Sequence, residues 1–261
     1  MPLAALLLAA LLLAALPGLV QAKDATLVFQ PTKTPVKYEI SLQQEMTFMG
    51  VEQLVNGKGT ALVSPGEAST DGNARFVVEL SGIEVTLKQG EELQDLDLGL
   101  EGKKVNVTVT PRGDVVSVEP TTPADGMSTG AIKSLVKTLF PYLPEGKVSE
   151  GATWTHKRLE ANEDKTIKEP AIDGQFDYTL EEFGNKDGVE TAKILGEGKV
   201  KINQTTPGGV FVGEAEGQSE LHVGVKDGWI VHNKADMTVS GKVGTTEITR
   251  VERFECKRAV K

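Results

Sequence analysis

From Lys37 to Gln43 apolar and polar residues alternate one for one, with Tyr38, Ile40 and Leu42 on one face and Glu39, Ser41 and Gln43 on the other. A period of two is the signature of a half-buried strand. The same period recurs over Ala74 to Leu80 and over Gly82 to Leu87, where Ile83, Val85 and Leu87 share a face. Val105 to Val109 alternates and is rich in β-branched residues; Thr110-Pro111-Arg112-Gly113-Asp114 then turns the chain and Val115 to Val118 returns, which predicts a hairpin. Further strands are expected at Ala152 to His156, Gln175 to Leu180, Ala192 to Ile202, Val210 to Glu216, Glu220 to Val225, Trp229 to His232, Ala235 to Val243 and Thr245 to Cys256. Asp227-Gly228 reads as a two-residue hairpin turn. The fold class is therefore mainly β: an antiparallel curved sheet or half-open barrel.

One segment departs from the period of two. After Ser128 or Thr129 as cap, Ile132, Leu135, Val136, Leu139 and Phe140 fall on one face of a 3.6-residue period, with Lys133 and Lys137 opposite, and Pro141 ends the run. This predicts one amphipathic helix near 128–140. A helix so short is marginal alone, so it must pack on the sheet. Residues 160–169 are polar and read as an exposed loop. Gly57-Lys58-Gly59 and Gly196-Glu197-Gly198 head similar orders of parts, which suggests two similar halves, about 23–125 and 145–261, joined by the helix.

Residues 3–16 are almost only Leu and Ala, Pro17-Gly18 break the run, and Val20-Gln21-Ala22 precede Lys23. That is the pattern of a secretory signal peptide over 1–22, although no Lys or Arg precedes the apolar run; a β-rich domain over 23–261 follows, with no integral membrane span. The chain is expected to be exported, periplasmic or extracellular. With 37 Asp+Glu against 28 Lys+Arg it carries a formal charge of −9, which argues against tracking a nucleic-acid backbone or an anionic membrane surface. Export implies an oxidising compartment, where the single Cys256 has no intramolecular partner; it reads as a buried thiol, with pairing between chains as the alternative.

Signals for chemistry are thin. A two-residue turn at Asp227-Gly228 would point His222 and His232 to opposite faces, and His156 is remote, so no metal site is expected. No Gly-x-Ser-x-Gly elbow, phosphate loop or dinucleotide fingerprint occurs, and the carboxylate runs read as solvated faces. No catalytic residue, metal ligand or cofactor site is assigned, and the protein is not expected to be an enzyme. Arg112-Gly113-Asp114 spells an adhesion tripeptide but sits where a turn needs such residues. Asn106-Val107-Thr108 and Asn203-Gln204-Thr205 fit a glycosylation pattern, the first inside an expected strand. Trp154 and Trp229 both lie in apolar alternation that suits a core.

The run Leu139-Phe140-Pro141-Tyr142-Leu143-Pro144 followed by Val148-Ser149-Glu150-Gly151-Ala152-Thr153-Trp154 resembles uncharacterised secreted bacterial β-rich proteins, domains of unknown function. Those families carry no assigned catalytic residues. More distantly, the architecture is similar to periplasmic lipoprotein-carrier proteins, whose half-open barrels curl over helices around an apolar cavity. Two functions follow as expectations. The first is an exported, non-enzymatic envelope or secreted protein with a scaffold or interaction role, its partner another envelope protein. The second is a carrier of an apolar ligand or acyl chain between sheet and helix, for which Ile83, Val85, Leu135, Leu139 and Phe140 are the candidate lining residues.

Overall fold

A computed structural model describes residues 23–48, 50–67, 72–121, 126–162, 167–206 and 209–259. The expected signal peptide, 1–22, lies outside the described residues, as do the side chains of Ser128 and Thr129. In chain order the elements are β1 (Asp24–Thr26), β2 (Val36–Phe48), β3 (Val51–Pro65), β4 (Ala74–Gln89), β5 (Glu92–Asp95), β6 (Lys104–Val109), β7 (Val115–Pro120), α1 (Gly126–Lys137), β8 (Lys147–Ser149), β9 (Thr153–Glu160), β10 (Ile172–Lys186), β11 (Val189–Thr206), β12 (Gly209–Gly224), β13 (Ile230–Val243) and β14 (Thr246–Arg258).

All pairings are antiparallel. One 12-stranded sheet runs β7-β6-β4-β3-β2-β14-β13-β12-β11-β10-β9, with β5 beside β4, and β1 pairs with β8 separately. The path is a meander whose first and last strands in sequence join where β14 pairs with β2, so among the described residues its one break lies between β7 and β9. The sheet is curved and not closed into a barrel, and α1 is the link that spans the break.

The alternation places one face of each strand in the core. Val36, Tyr38 and Ile40 of β2, Val63 of β3, Val105, Val107 and Val109 of β6, and Ile194 of β11 are buried while their neighbours in sequence are more exposed. Several strands run longer than the sequence pattern suggests. The expected breaks at Ser81-Gly82, Gly217 to Ser219 and Asn233-Lys234 are absorbed into continuous β4, β12 and β13. Such residues read locally as turns, but pairing on both sides carries β12 and β13 through them, and β3 alone carries β4 past Ser81. At Gly82 the interruption survives as a bulge, where the β3–β4 register shifts between Lys58 and Thr60.

The glycines of both Gly-x-Gly segments lie on the core-facing side of their strands, under side chains of a neighbouring strand. A Cβ on Gly59 would stand 2.4 Å from Ile83 Cδ1, and one on Gly198 would stand 2.3 Å from Phe176 Cδ1. Glycine at these places lets the sheet coil tightly while Ile83 and Phe176 fill the space.

The helix begins at Gly126 and ends at Lys137, earlier at both ends than the 128–140 expected. The end is set before Pro141: the Thr138 hydroxyl donates to the Leu135 carbonyl at 2.6 Å, the Leu139 amide donates to the Val136 carbonyl at 3.1 Å, and the chain turns inward. Ile132 and Val136 of α1 and Leu139, Phe140 and Leu143 beyond it are buried. They meet a segment that the pattern did not reveal. Between β1 and β2, Leu27 and Phe29 insert into the core; the Phe29 amide donates to the Pro111 carbonyl and the Gln30 amide to the Asp227 carbonyl, at 3.0 and 2.9 Å. Phe29 thus ties the β6–β7 turn to the β12–β13 loop. Its ring centroid lies 5.6 Å from Phe76, 5.6 Å from Phe140 and 4.5 Å from Trp229. Trp229 is fully buried with its indole N–H on the Gln30 carbonyl, whereas Trp154 is only half-buried.

Asp227-Gly228 is not a two-residue turn. The loop between β12 and β13 spans 225–229, and the register slips between His222 and Val223. Trp229 must enter the core, and the extra residues let it. His222 and His232 consequently face each other as register partners on one face, with ring centroids 6.2 Å apart, rather than pointing apart.

Candidate ligand cleft at the seam of the sheet

Where β7 and β9 fail to pair, a cleft of about 880 Å³ opens between the two edges with α1 as its base. Its size lies within the usual range for small-molecule sites. The β7 wall is Val115 to Val118, the β9 wall His156 to Glu160, and Phe140, Ile172, Phe176 and Tyr178 supply apolar and aromatic surface.

One end of the cleft is closed by stacked groups. The Arg112 guanidinium lies 4.5 Å from the Tyr142 ring centroid, and Tyr142 in turn stacks on His156 at 3.8 Å and 9°. His156 Nε2 stands 3.9 Å from Asp114 Oδ1, so the β6–β7 turn and β9 meet there. Behind them Trp154 stacks on Tyr178 at 5.6 Å and donates its indole N–H to the Tyr142 carbonyl at 3.3 Å. Burial holds the His156 imidazole below its ordinary pKa; Asp114 pulls the other way, and Arg158 and Arg112 add to the lowering. Burial also pushes the Tyr178 phenol up to about 12.

Farther along, Glu160 Oε1 accepts from Lys137 Nζ at 2.6 Å and from Arg158 Nε at 2.5 Å, joining the helix to the edge strand. Burial raises the Glu160 pKa, but the Lys137 hydrogen bond and the Arg158 charge outweigh it and hold the carboxyl below its ordinary value.

Of the residues expected to line a ligand space, Phe140 alone borders this cleft. Leu139 is fully buried between helix and sheet, Leu135 is half-buried against the same core, and Ile83 and Val85 lie half-buried on β4 over Gly59 and Gly57. The interface between helix and sheet is thus filled by side chains, and the open volume lies beside the helix. Sequence reasoning missed Tyr142, His156, Arg158, Phe176 and Tyr178 as neighbours. The shared parity of Trp154, His156, Arg158 and Glu160 marks one face of β9, but only the missing β7–β9 pairing makes that face a wall.

The other motifs are structural. Arg112 donates Nε to the Leu143 carbonyl at 3.0 Å and pairs with Glu145, while a Cβ on Gly113 would fall 1.7 Å from the Pro141 carbonyl oxygen. The adhesion tripeptide is therefore buttressed against residues 141–145. His222 and His232 each hydrogen-bond a glutamate, Glu220 at 3.1 Å and Glu255 at 2.7 Å. Among the described residues no group of three or more His, Cys, Asp or Glu is arranged to hold a metal ion. Cys256 is buried in the core.

Comparison with solved structures finds lipovitellin, in a structure of its lipid–protein interactions, at TM-score 0.54 and 9% identity over 89% of this chain. The chain spans 25% of the length of that lipovitellin chain, and the likeness defines a fold. A protein with a YmcC-like fold from Bacteroides fragilis matches over 90% of this chain and 100% of its own at TM-score 0.26 and 8% identity. A DUF1329 family protein from Desulfovibrio piger matches over 86% of each chain at TM-score 0.16 and 8% identity. Neither a family model nor a curated protein matches the chain. No helix among the described residues is long and apolar enough to cross a membrane.

Proposed function

We propose that this chain is an exported, non-enzymatic binding protein that holds an amphipathic molecule in the cleft between β7 and β9. The observation that carries this reading is the single unpaired seam of an otherwise continuous sheet, opening onto about 880 Å³ beside α1. Aromatic and aliphatic side chains line it together with a few charged groups, the composition of a small-molecule site. The lipovitellin likeness supports the reading to the extent that a sheet of this shape occurs in a protein whose structure concerns lipid contacts. Export rests on the apolar segment before Lys23. The non-enzymatic reading rests on the lack of a nucleophile elbow and on the burial of the one cysteine.

The ligand sits beside the helix rather than beneath it, because Ile132, Val136 and Leu139 already fill the space beneath. The test is titration of the purified protein with a fluorescent fatty-acid probe, alongside mass spectrometry of its organic extract. Saturable binding that Phe176→Glu weakens at least tenfold, with Val212→Glu on the opposite face of the sheet as control, is the expected result. A protein that carries no extractable lipid and binds no probe refutes the carrier reading. The scaffold reading draws on Val116 and Leu159, which are 59% and 72% exposed on the two unpaired edges.

A further inference from the structure

We infer that the ligand of the seam cleft carries an anionic head group, seated on Arg158 and Lys137. The inference rests on the binding reading above and specifies the chemistry of its polar end. Two cations and one carboxylate meet in the wall of the cleft, and both cations use the same oxygen, Glu160 Oε1. The side chains of Lys137, Arg158 and Glu160 are only 27%, 30% and 31% exposed, so the cluster holds one surplus positive charge in a half-desolvated place. Such a charge costs free energy until an anion approaches it.

Arginine geometry makes the anion's place specific. The Arg158 contact with Glu160 engages Nε, and among the described residues its two Nη groups make no hydrogen bond or ion pair. A planar fork with free terminal donors suits a carboxylate or phosphate bidentately. Next to it, Ile172, Phe176 and Phe140 supply surface for an apolar chain. An ammonium head group would have to reach Glu160 past two cations already bound to it.

The experiment displaces a neutral apolar fluorophore from the full-length purified protein with four ten-carbon compounds: decanoate, decyl phosphate, decanol and decylamine. Decanoate and decyl phosphate are expected to displace it at concentrations at least tenfold below decanol, and decylamine to be weaker than decanol. Acetate and inorganic phosphate at the same concentrations should leave the fluorophore bound; displacement by them would mark a free-anion site and overturn the assignment to an amphiphile. The anionic preference should fall to less than threefold in the Lys137→Gln/Arg158→Gln double variant. Glu160→Gln, which removes the internal competitor, should raise the preference several-fold, a change that loss of a merely structural ion pair would not produce. Equal displacement by decanol and decanoate, or a preference unaltered in both variants, overturns the head-group assignment while leaving the cleft as a binding site. No displacement by any of the four overturns both.

Discussion

Phe29→Ala removes the side chain on which three separate parts of the chain converge. The ring is buried, and its centroid lies within 6 Å of Phe76 on β4, Phe140 beyond the helix and Trp229 after the β12–β13 loop. Truncating a buried Phe costs about 3–5 kcal/mol, from lost transfer free energy and from the cavity left behind. The upper part of that range applies because edge-to-face and tilted ring pairs contribute about 0.5–1.5 kcal/mol each beyond area, and three such pairs vanish together. For a domain of this length a loss of about 4–5 kcal/mol corresponds to a fall in Tm of about 8–20 °C. Urea denaturation followed by tryptophan fluorescence suits the measurement, since Trp229 is itself in the cluster. Phe211→Ala is the comparison: that ring is half-buried on β12, and its loss should cost about 1 kcal/mol, roughly half of a full burial contribution. The reasoning fails if Phe29→Ala costs less than Phe211→Ala. In that event the segment between β1 and β2 would not be tying the two ends of the sheet together.

Three further outcomes follow from the same structure. Gly113→Ala should destabilise by at least about 2 kcal/mol, because its φ of +84° is strained for other residues and the new Cβ would strike the Pro141 carbonyl oxygen; an unchanged urea midpoint would refute this. The Cys256 thiol, pushed up to about 12 by burial with help from Glu255, should react with a thiol reagent only as fast as the protein unfolds, and rapid labelling of the native protein would contradict its placement. Burial is the chief cause holding both His156 and His222 below their ordinary value of 6.5, so the unfolded chain takes up protons that the folded chain refuses. Their stabilising contribution is complete above that value and is lost as the pH falls below it toward their lowered folded values. Urea midpoints measured from pH 8 to pH 5 should therefore decline below about 6.5, and a His156→Gln/His222→Gln variant that keeps the full decline would assign it elsewhere.

The alternation of side chains along the sequence determined which residues of each strand share a face, because a period of two is a local property of extended backbone. It was enough to place the hairpin from Val105 to Val118 and the mainly β class, and a 3.6-residue period, equally local, placed the apolar face of α1. It did not determine where the strands stop. Gly217 looks like a turn until both neighbouring strands pair across it, Ser81-Gly82 until β3 pairs on either side of its bulge, and the five-residue loop at 225–229 exists because Trp229 has a core position to fill. Nor could it show that Phe29, in a segment without period, would become the centre of the aromatic cluster. The cleft is the clearest case. It arises because β14 closes on β2 while β7 and β9 remain apart with a helix between them. Strand partners are chosen by the summed packing of the whole sheet, so a missing pairing leaves no mark on either strand's own residues. Only the tertiary structure brings Arg158, Lys137 and Glu160 into contact and leaves open space beside them.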